Sequence, residues 1–140
     1  MRGPYASTVI SADAGDVWAY LREFGNLHEW LPGVSTCEIE DGAPLAPGVV
    51  RRVEGAGGVF RERLLTLDDE ERTLTYATLE SPLPMRDYRA TCRVAPVTDS
   101  GQTFVEWYAS FEADDPEKIA KILTRGVFIP GLESLRKRFG

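Results

Sequence analysis

The sequence predicts an α+β domain: a curved antiparallel sheet of about seven strands wrapped around a long C-terminal helix. Three observations predict it. Short β-branched and aromatic runs recur between turn residues from Thr36 to Glu112. Two short helical patterns separate the first strand from these runs. An amphipathic stretch beginning at Asp115-Pro116 closes the chain. A sheet of this extent must bury one apolar face, and the closing helix is the element able to cover it. A curved sheet crossed by one helix leaves space between the two, which is where a pocket can form.

Tyr5 to Ala12 reads as the first strand. Asp13 is the N-cap of a helix over Ala14–Phe24, with Asp16 adding negative charge to its first turn. Val17, Leu21 and Phe24 fall on one face beside Trp18, and Gly25 is the expected stop. A second short helix covers Leu27–Leu31 and ends at Pro32-Gly33. Strands then follow at Thr36–Glu40, Val49–Glu54, Val59–Leu67, Arg72–Glu80, Asp87–Ala95 and Gln102–Glu112, with glycine, aspartate and proline turns between them. This spacing describes an antiparallel meander. In the last helix Asp115 caps and Pro116 takes the first position, where its missing N–H costs nothing. Ile119, Ile122, Leu123, Val127, Leu132 and Leu135 supply the apolar faces. Gly126 and Pro130 are expected to bend it.

The 140 residues fit one domain spanning 1–140. With 43% hydrophobic and 27% charged residues the composition is that of a soluble globular protein, and a cytoplasmic location is expected. The net charge of −6 argues against a nucleic-acid partner, and Arg136-Lys137-Arg138 reads as cations suited to a helix C-terminus. One histidine and two cysteines without a CxxC pair give no support to a metal centre. No apolar run is long enough to span a membrane, and Met1-Arg2-Gly3-Pro4 opens no leader-like segment. GxSxG, P-loop, GxGxxG and HExxH patterns are absent, so any catalysis is expected to need no cofactor.

Strand periodicity assigns the inward faces. Val105, Trp107, Ala109 and Phe111 share one; Tyr88, Ala90, Cys92 and Val94 share another; Leu74, Tyr76 and Thr78 a third. The more polar Phe104, Glu106, Tyr108, Ser110 and Glu112 face outward. In Val49–Glu54 the inward set Val49 and Val53 carries Arg51 with it, and in Val59–Leu67 the set Phe60 and Leu64 carries Glu62. One arginine and one glutamate are thus expected inside an apolar pocket, on strands joined by a glycine-rich hairpin. Opposite charges there would satisfy each other. Two readings stay open: a structural pair that fixes strand register, or a working polar anchor and acid/base group. His28 is a second acid/base candidate, because a histidine titrates near neutrality and the second helix is expected near the pocket mouth. The expected lining is Trp30, Phe60, Tyr76, Tyr88, Cys92, Trp107, Ile122 and Gly126, with the Gly126–Pro130 segment a candidate gate.

The element order resembles the START-like, or Bet v 1-like (SRPBCC), superfamily, including the polyketide cyclase/dehydrase and lipid transport family, over about Ala6 to Phe139. The landmarks are Val17-Trp18, Trp30-Leu31-Pro32-Gly33, Gly48-Val49-Val50-Arg51, Glu62-Arg63-Leu64, Leu74-Thr75-Tyr76, Pro84 with Tyr88, and Val105-Glu106-Trp107 before Phe111. The resemblance implies a helix-grip fold with a hydrophobic cavity, and ligand carriers or cyclases and dehydratases as activities. The expected partner is a hydrophobic, aromatic or polycyclic small molecule. The alternative is a cofactor-free cyclase, aromatase or dehydratase in which Arg51 polarises a carbonyl, Glu62 or His28 moves a proton and a tyrosine orients the chain. A protein-binding module ranks last, since the outward faces are rich in Arg, Thr and Glu.

Overall fold

Asp13 starts α1 (Ala14–Leu21) by accepting the Gly15 N–H at 2.9 Å. This computed structural model describes residues 3–140, so the beginning of the Met1-Arg2-Gly3-Pro4 segment lies outside the described residues. Helix α1 ends three residues before its expected last residue, Phe24. The Asn26 side chain reaches back to the Tyr20 carbonyl at 2.9 Å and satisfies an acceptor that another helical turn would have used. Phe24 consequently sits in the turn after α1, buried, with its carbonyl free to serve other donors. A single helical turn, α2 (Leu27–Trp30), follows.

Seven strands form one antiparallel sheet: β1 (Tyr5–Ile10), β2 (Val34–Ile39), β3 (Val50–Gly55), β4 (Gly58–Asp68), β5 (Thr73–Glu80), β6 (Arg86–Val97) and β7 (Gln102–Glu112). Their order across the sheet is β1-β7-β6-β5-β4-β3-β2. β1 and β2 therefore hold opposite edges, and α1 and α2 carry the chain between them. Register shifts at Val34/Thr36, at Arg61/Glu62 and Leu64/Thr66, and at Arg86/Arg89 mark bulges, the devices that bend a sheet. The β3–β4 hairpin is regular instead. Gly55 pairs with Gly58, which adopts φ +124, so the inward parity passes through the turn without slipping.

The C-terminal helix runs from Pro116 to Arg138 in three parts: α3 (Pro116–Leu123), a π-helical turn (Thr124–Phe128) and α4 (Ile129–Arg138). Asp115 caps it by accepting the Lys118 N–H at 3.3 Å, and Glu133 meets Lys137 at 3.2 Å. The Gly126–Pro130 region widens the helix without ending it. Pro130 has no N–H to continue the regular ladder, and the wider turn makes room for its ring. Beyond that turn the helix packs solidly. Phe128 stacks on Trp107 at 4.3 Å, Trp30 tilts against Trp107 at 5.8 Å, and Leu132 and Leu135 are buried. Gly131 permits this approach: a Cβ there would lie 2.7 Å from Leu31 Cδ1 and 3.0 Å from the Trp107 ring.

One outward position departs from its expected environment. Glu106 on β7 is buried, because Arg93 reaches it at 2.6 Å and Tyr5 donates its hydroxyl at 2.8 Å. Among the described residues no helix is long and apolar enough to cross a membrane.

Candidate functional site

Arg51 on β3 is directly opposite Glu62 on β4, and Glu62 is directly opposite Thr78 on β5. Three polar side chains thus cross three neighbouring strands in one row on the inner face. Arg51 Nε and Nη2 both reach Glu62 Oε1 at 2.8 Å. Arg51 Nη1 donates to the Phe24 carbonyl at 3.2 Å, the acceptor freed where α1 stops early. The Phe24 ring lies 4.0 Å and the Tyr76 ring 4.8 Å from the guanidinium carbon, close enough for cation–π attraction. Burial works to lower the Arg51 pKa, but Glu62 and the neighbouring tyrosine outweigh it and hold that pKa above its ordinary value. The arginine stays charged.

Glu62 is satisfied on one side only. Oε1 takes both arginine bonds, whereas Oε2 makes no hydrogen bond among the described residues. A tenth of the Glu62 side chain remains accessible. The Thr78 hydroxyl, next in the row, is sealed from water and has no partner among the described residues.

Tyr76 and Tyr88 border this row, their rings 6.2 Å apart. Trp107 donates its indole N–H to the Tyr76 hydroxyl at 3.2 Å. Burial raises the pKa of both phenols well above the usual tyrosine value, so both stay protonated and able to donate. Cys37 and Cys92 are free and buried; burial pushes the Cys92 thiol up to about 12 and raises that of Cys37. Among the described residues no group of three His, Cys, Asp or Glu could hold a metal ion.

A cavity of about 340 Å³ opens against this row, beneath α3 and the π-helical turn. Its sheet wall is Arg51, Val53, Phe60, Glu62, Tyr76, Thr78, Tyr88 and Trp107; its helix wall is Ile122, Leu123 and Val127. Leu27, Leu31, the Gly55–Gly57 hairpin and a loop with Pro82, Leu83 and Met85 make the rim. Ile122 is 37% exposed and stands at the mouth. A larger depression of about 610 Å³ lies outside, past Thr78, Pro82, Met85 and Tyr88, and is lined by Glu80, Arg86 and Asp87. It is more open and polar, and the more sheltered apolar space is the better candidate site.

The structure brings Arg51, Phe60, Glu62, Tyr76, Tyr88, Trp107 and Ile122 together around that space. It sets four other expected residues apart from the lining. His28 is exposed on the outer side of α2. Trp30 is buried against Trp107, with its indole N–H on Asn26 Oδ1 at 3.3 Å. Cys92 faces inward but pairs with Leu74 and Trp107 farther along the sheet, in solid core. Gly126 is exposed, with no atom within 4 Å of where a Cβ would stand. The apolar rim residues Leu83 and Met85 escaped the sequence reading. Their signal was an apolar pair inside a proline-rich loop, where solvent-facing residues are the usual choice.

Residues 5–140 match the family described as polyketide cyclase / dehydrase and lipid transport. The chain belongs to this family. A Thermobifida fusca protein solved by NMR is 31% identical to this family member, superposes with TM-score 0.89, and is covered over 94% of its length by the whole of this chain. The XoxI protein of Bacillus cereus is 28% identical with TM-score 0.86, over 99% of this chain and 96% of its own. The di-domain ARO/CYC protein BexL of the BE-7585A biosynthetic pathway shares the fold, with TM-score 0.77 and 18% identity over 98% of this chain and 46% of its own. The seven-stranded curved sheet closed by a long helix is the helix-grip architecture of the START-like, or SRPBCC, proteins.

Proposed function

We propose that this protein binds a hydrophobic, aromatic or polycyclic small molecule in the cavity between the sheet and α3. One observation carries the reading: a partly open space of about 340 Å³, apolar on most of its wall, meets a single polar cluster at Arg51, Glu62, Thr78 and Tyr88. Ligand sites have this design, with apolar walls for affinity and a few polar groups for orientation. The volume is at the small end of such sites and suits a compact ring system. Phe60, Tyr76, Trp107 and Ile122 supply the apolar contacts. The family description, with its cyclases, dehydrases and lipid transport, supports a ligand of this kind. The net charge of −6 disfavours a nucleic-acid partner, and two unpaired cysteines accord with the cytoplasm.

The test is a titration with N-phenyl-1-naphthylamine, a neutral apolar fluorophore. It should saturate at one probe per chain. Val127→Trp, which pushes an indole into the cavity from the helix wall, should abolish uptake without unfolding the protein. Equal uptake by both proteins sinks the reading.

A second reading, a cofactor-free cyclase, aromatase or dehydratase, is favoured by one feature. Glu62 Oε2 makes no hydrogen bond among the described residues, and two buried protonated phenols are its neighbours. A carboxylate that can take a proton beside phenols that can donate to a carbonyl is the minimum for enolisation and ring closure. Extraction of protein purified from its own organism separates the two. A carrier returns its compound unchanged after incubation, whereas an enzyme returns it cyclised or dehydrated, and Glu62→Gln stops that change.

A further inference from the structure

We infer that the cavity selects uncharged ligands bearing a hydrogen-bond donor, a hydroxyl, enol or N–H, which is delivered to Glu62 Oε2, and that it excludes carboxylates. This deepens the proposed function and rests on that reading of the cavity.

The arginine in the cavity wall invites the opposite conclusion, since a guanidinium is the usual partner of an anionic ligand. Here all three of its nitrogens already have acceptors. Nε and Nη2 share Glu62 Oε1 at 2.8 Å, and Nη1 holds the Phe24 carbonyl at 3.2 Å. The Phe24 and Tyr76 rings crowd the same group. Arg51 thus spends three of its five N–H groups on the protein, and its charge on Glu62.

What the row presents to the cavity is the other end of the pair. Glu62 is ion-paired with Arg51 through Oε1, and among the described residues its Oε2 has no donor while the side chain keeps accessible surface. An ionised carboxylate accepts and cannot donate. A ligand hydroxyl or N–H placed there makes a charge-assisted hydrogen bond, the stronger class. A ligand carboxylate placed there meets a like charge whose counter-ion is already engaged, in a space with little water to screen it. Tyr88 lines the same end and its hydroxyl can donate or accept, so it accommodates the oxygen of a bound hydroxyl without reversing the preference.

Three probes of one ring size, 2-naphthol, 2-naphthoate and naphthalene, test this by calorimetric titration at neutral pH. 2-Naphthol should bind about tenfold or more tighter than 2-naphthoate, as expected for a charge-assisted hydrogen bond gained against one forfeited. Naphthalene should fall between them. Glu62→Gln turns the free group from an acceptor into a donor and leaves Arg51 uncompensated, so the order of naphthol and naphthoate should reverse. 2-Naphthoate binding wild type as tightly as 2-naphthol overturns the inference while the cavity reading stands. No binding by any of the three overturns the cavity reading, and this inference with it. Where Glu62→Gln fails to fold, the wild-type order alone decides.

Discussion

Arg51 donates a 3.2 Å hydrogen bond to the carbonyl of Phe24 and so fastens the turn after α1 to the middle of the sheet. The same guanidinium holds Glu62, which makes it a junction between β3, β4 and the segment that closes one flank of the cavity.

Removing one member of a buried pair strands the other. Arg51→Met leaves the Glu62 carboxylate buried without a counter-charge and should cost about 3–5 kcal/mol in denaturant unfolding. Adding Glu62→Leu removes the stranded charge and should recover most of that loss. A double variant no more stable than Arg51→Met would show that the pair is not the source of the effect.

The buried acids set the alkaline limit of stability. Burial lifts Cys92 from 9.0 to about 12, and raises Tyr76 and Tyr88 above their ordinary 10.0. Between the unfolded and folded values the unfolded chain has released protons that the folded chain retains, so stability falls as pH rises. The fall should begin near pH 9, the ordinary thiol value, and steepen above pH 10 as the unfolded tyrosines ionise. Phenolate absorbance should show Tyr76 and Tyr88 ionising only with loss of the folded circular dichroism. A smooth titration of all five tyrosines in the folded state contradicts it.

Two helical glycines should respond to alanine with opposite signs. A Cβ at Gly131 meets Leu31 and the Trp107 ring in packed core, and overpacking there should cost about 1–3 kcal/mol. A Cβ at Gly126 meets nothing within 4 Å, and the exposed helical position should gain up to about 1 kcal/mol from alanine. Thermal melts of the two variants check the signs, and a loss at Gly126 would mean that the π-helical turn depends on glycine.

Strand periodicity read the fold well because it is a local property. Parity alone placed Arg51 and Glu62 on the inner face, and the glycine hairpin put them opposite each other. Parity fixes a face but not a depth. Cys92 and Tyr88 both point inward, yet only Tyr88 reaches the cavity, because Cys92 is four residues farther along β6 under Trp107. Gly126 and Pro130 read as an irregularity in the helix; Gly126 falls in the π-helical turn and Pro130 in the first turn of α4, a division that residue type alone does not reveal. Glu106 reads as a surface residue until Arg93 and Tyr5, from two other strands, are brought to it. Phe24 was legible as a buried aromatic; its carbonyl's partner was not, since that bond exists only once the Asn26 side chain has ended α1.

An apolar molecule that enters the space beneath α3 must touch the methyl groups lining it, and methyl-resolved NMR detects that contact. On titration with N-phenyl-1-naphthylamine, shifts should concentrate on the methyls of Val53, Ile122, Leu123 and Val127, which line that space. Val9, exposed on the far edge strand, should stay still. Saturating probe that leaves the four lining residues unmoved, or that shifts only surface methyls such as Val9, would contradict the account.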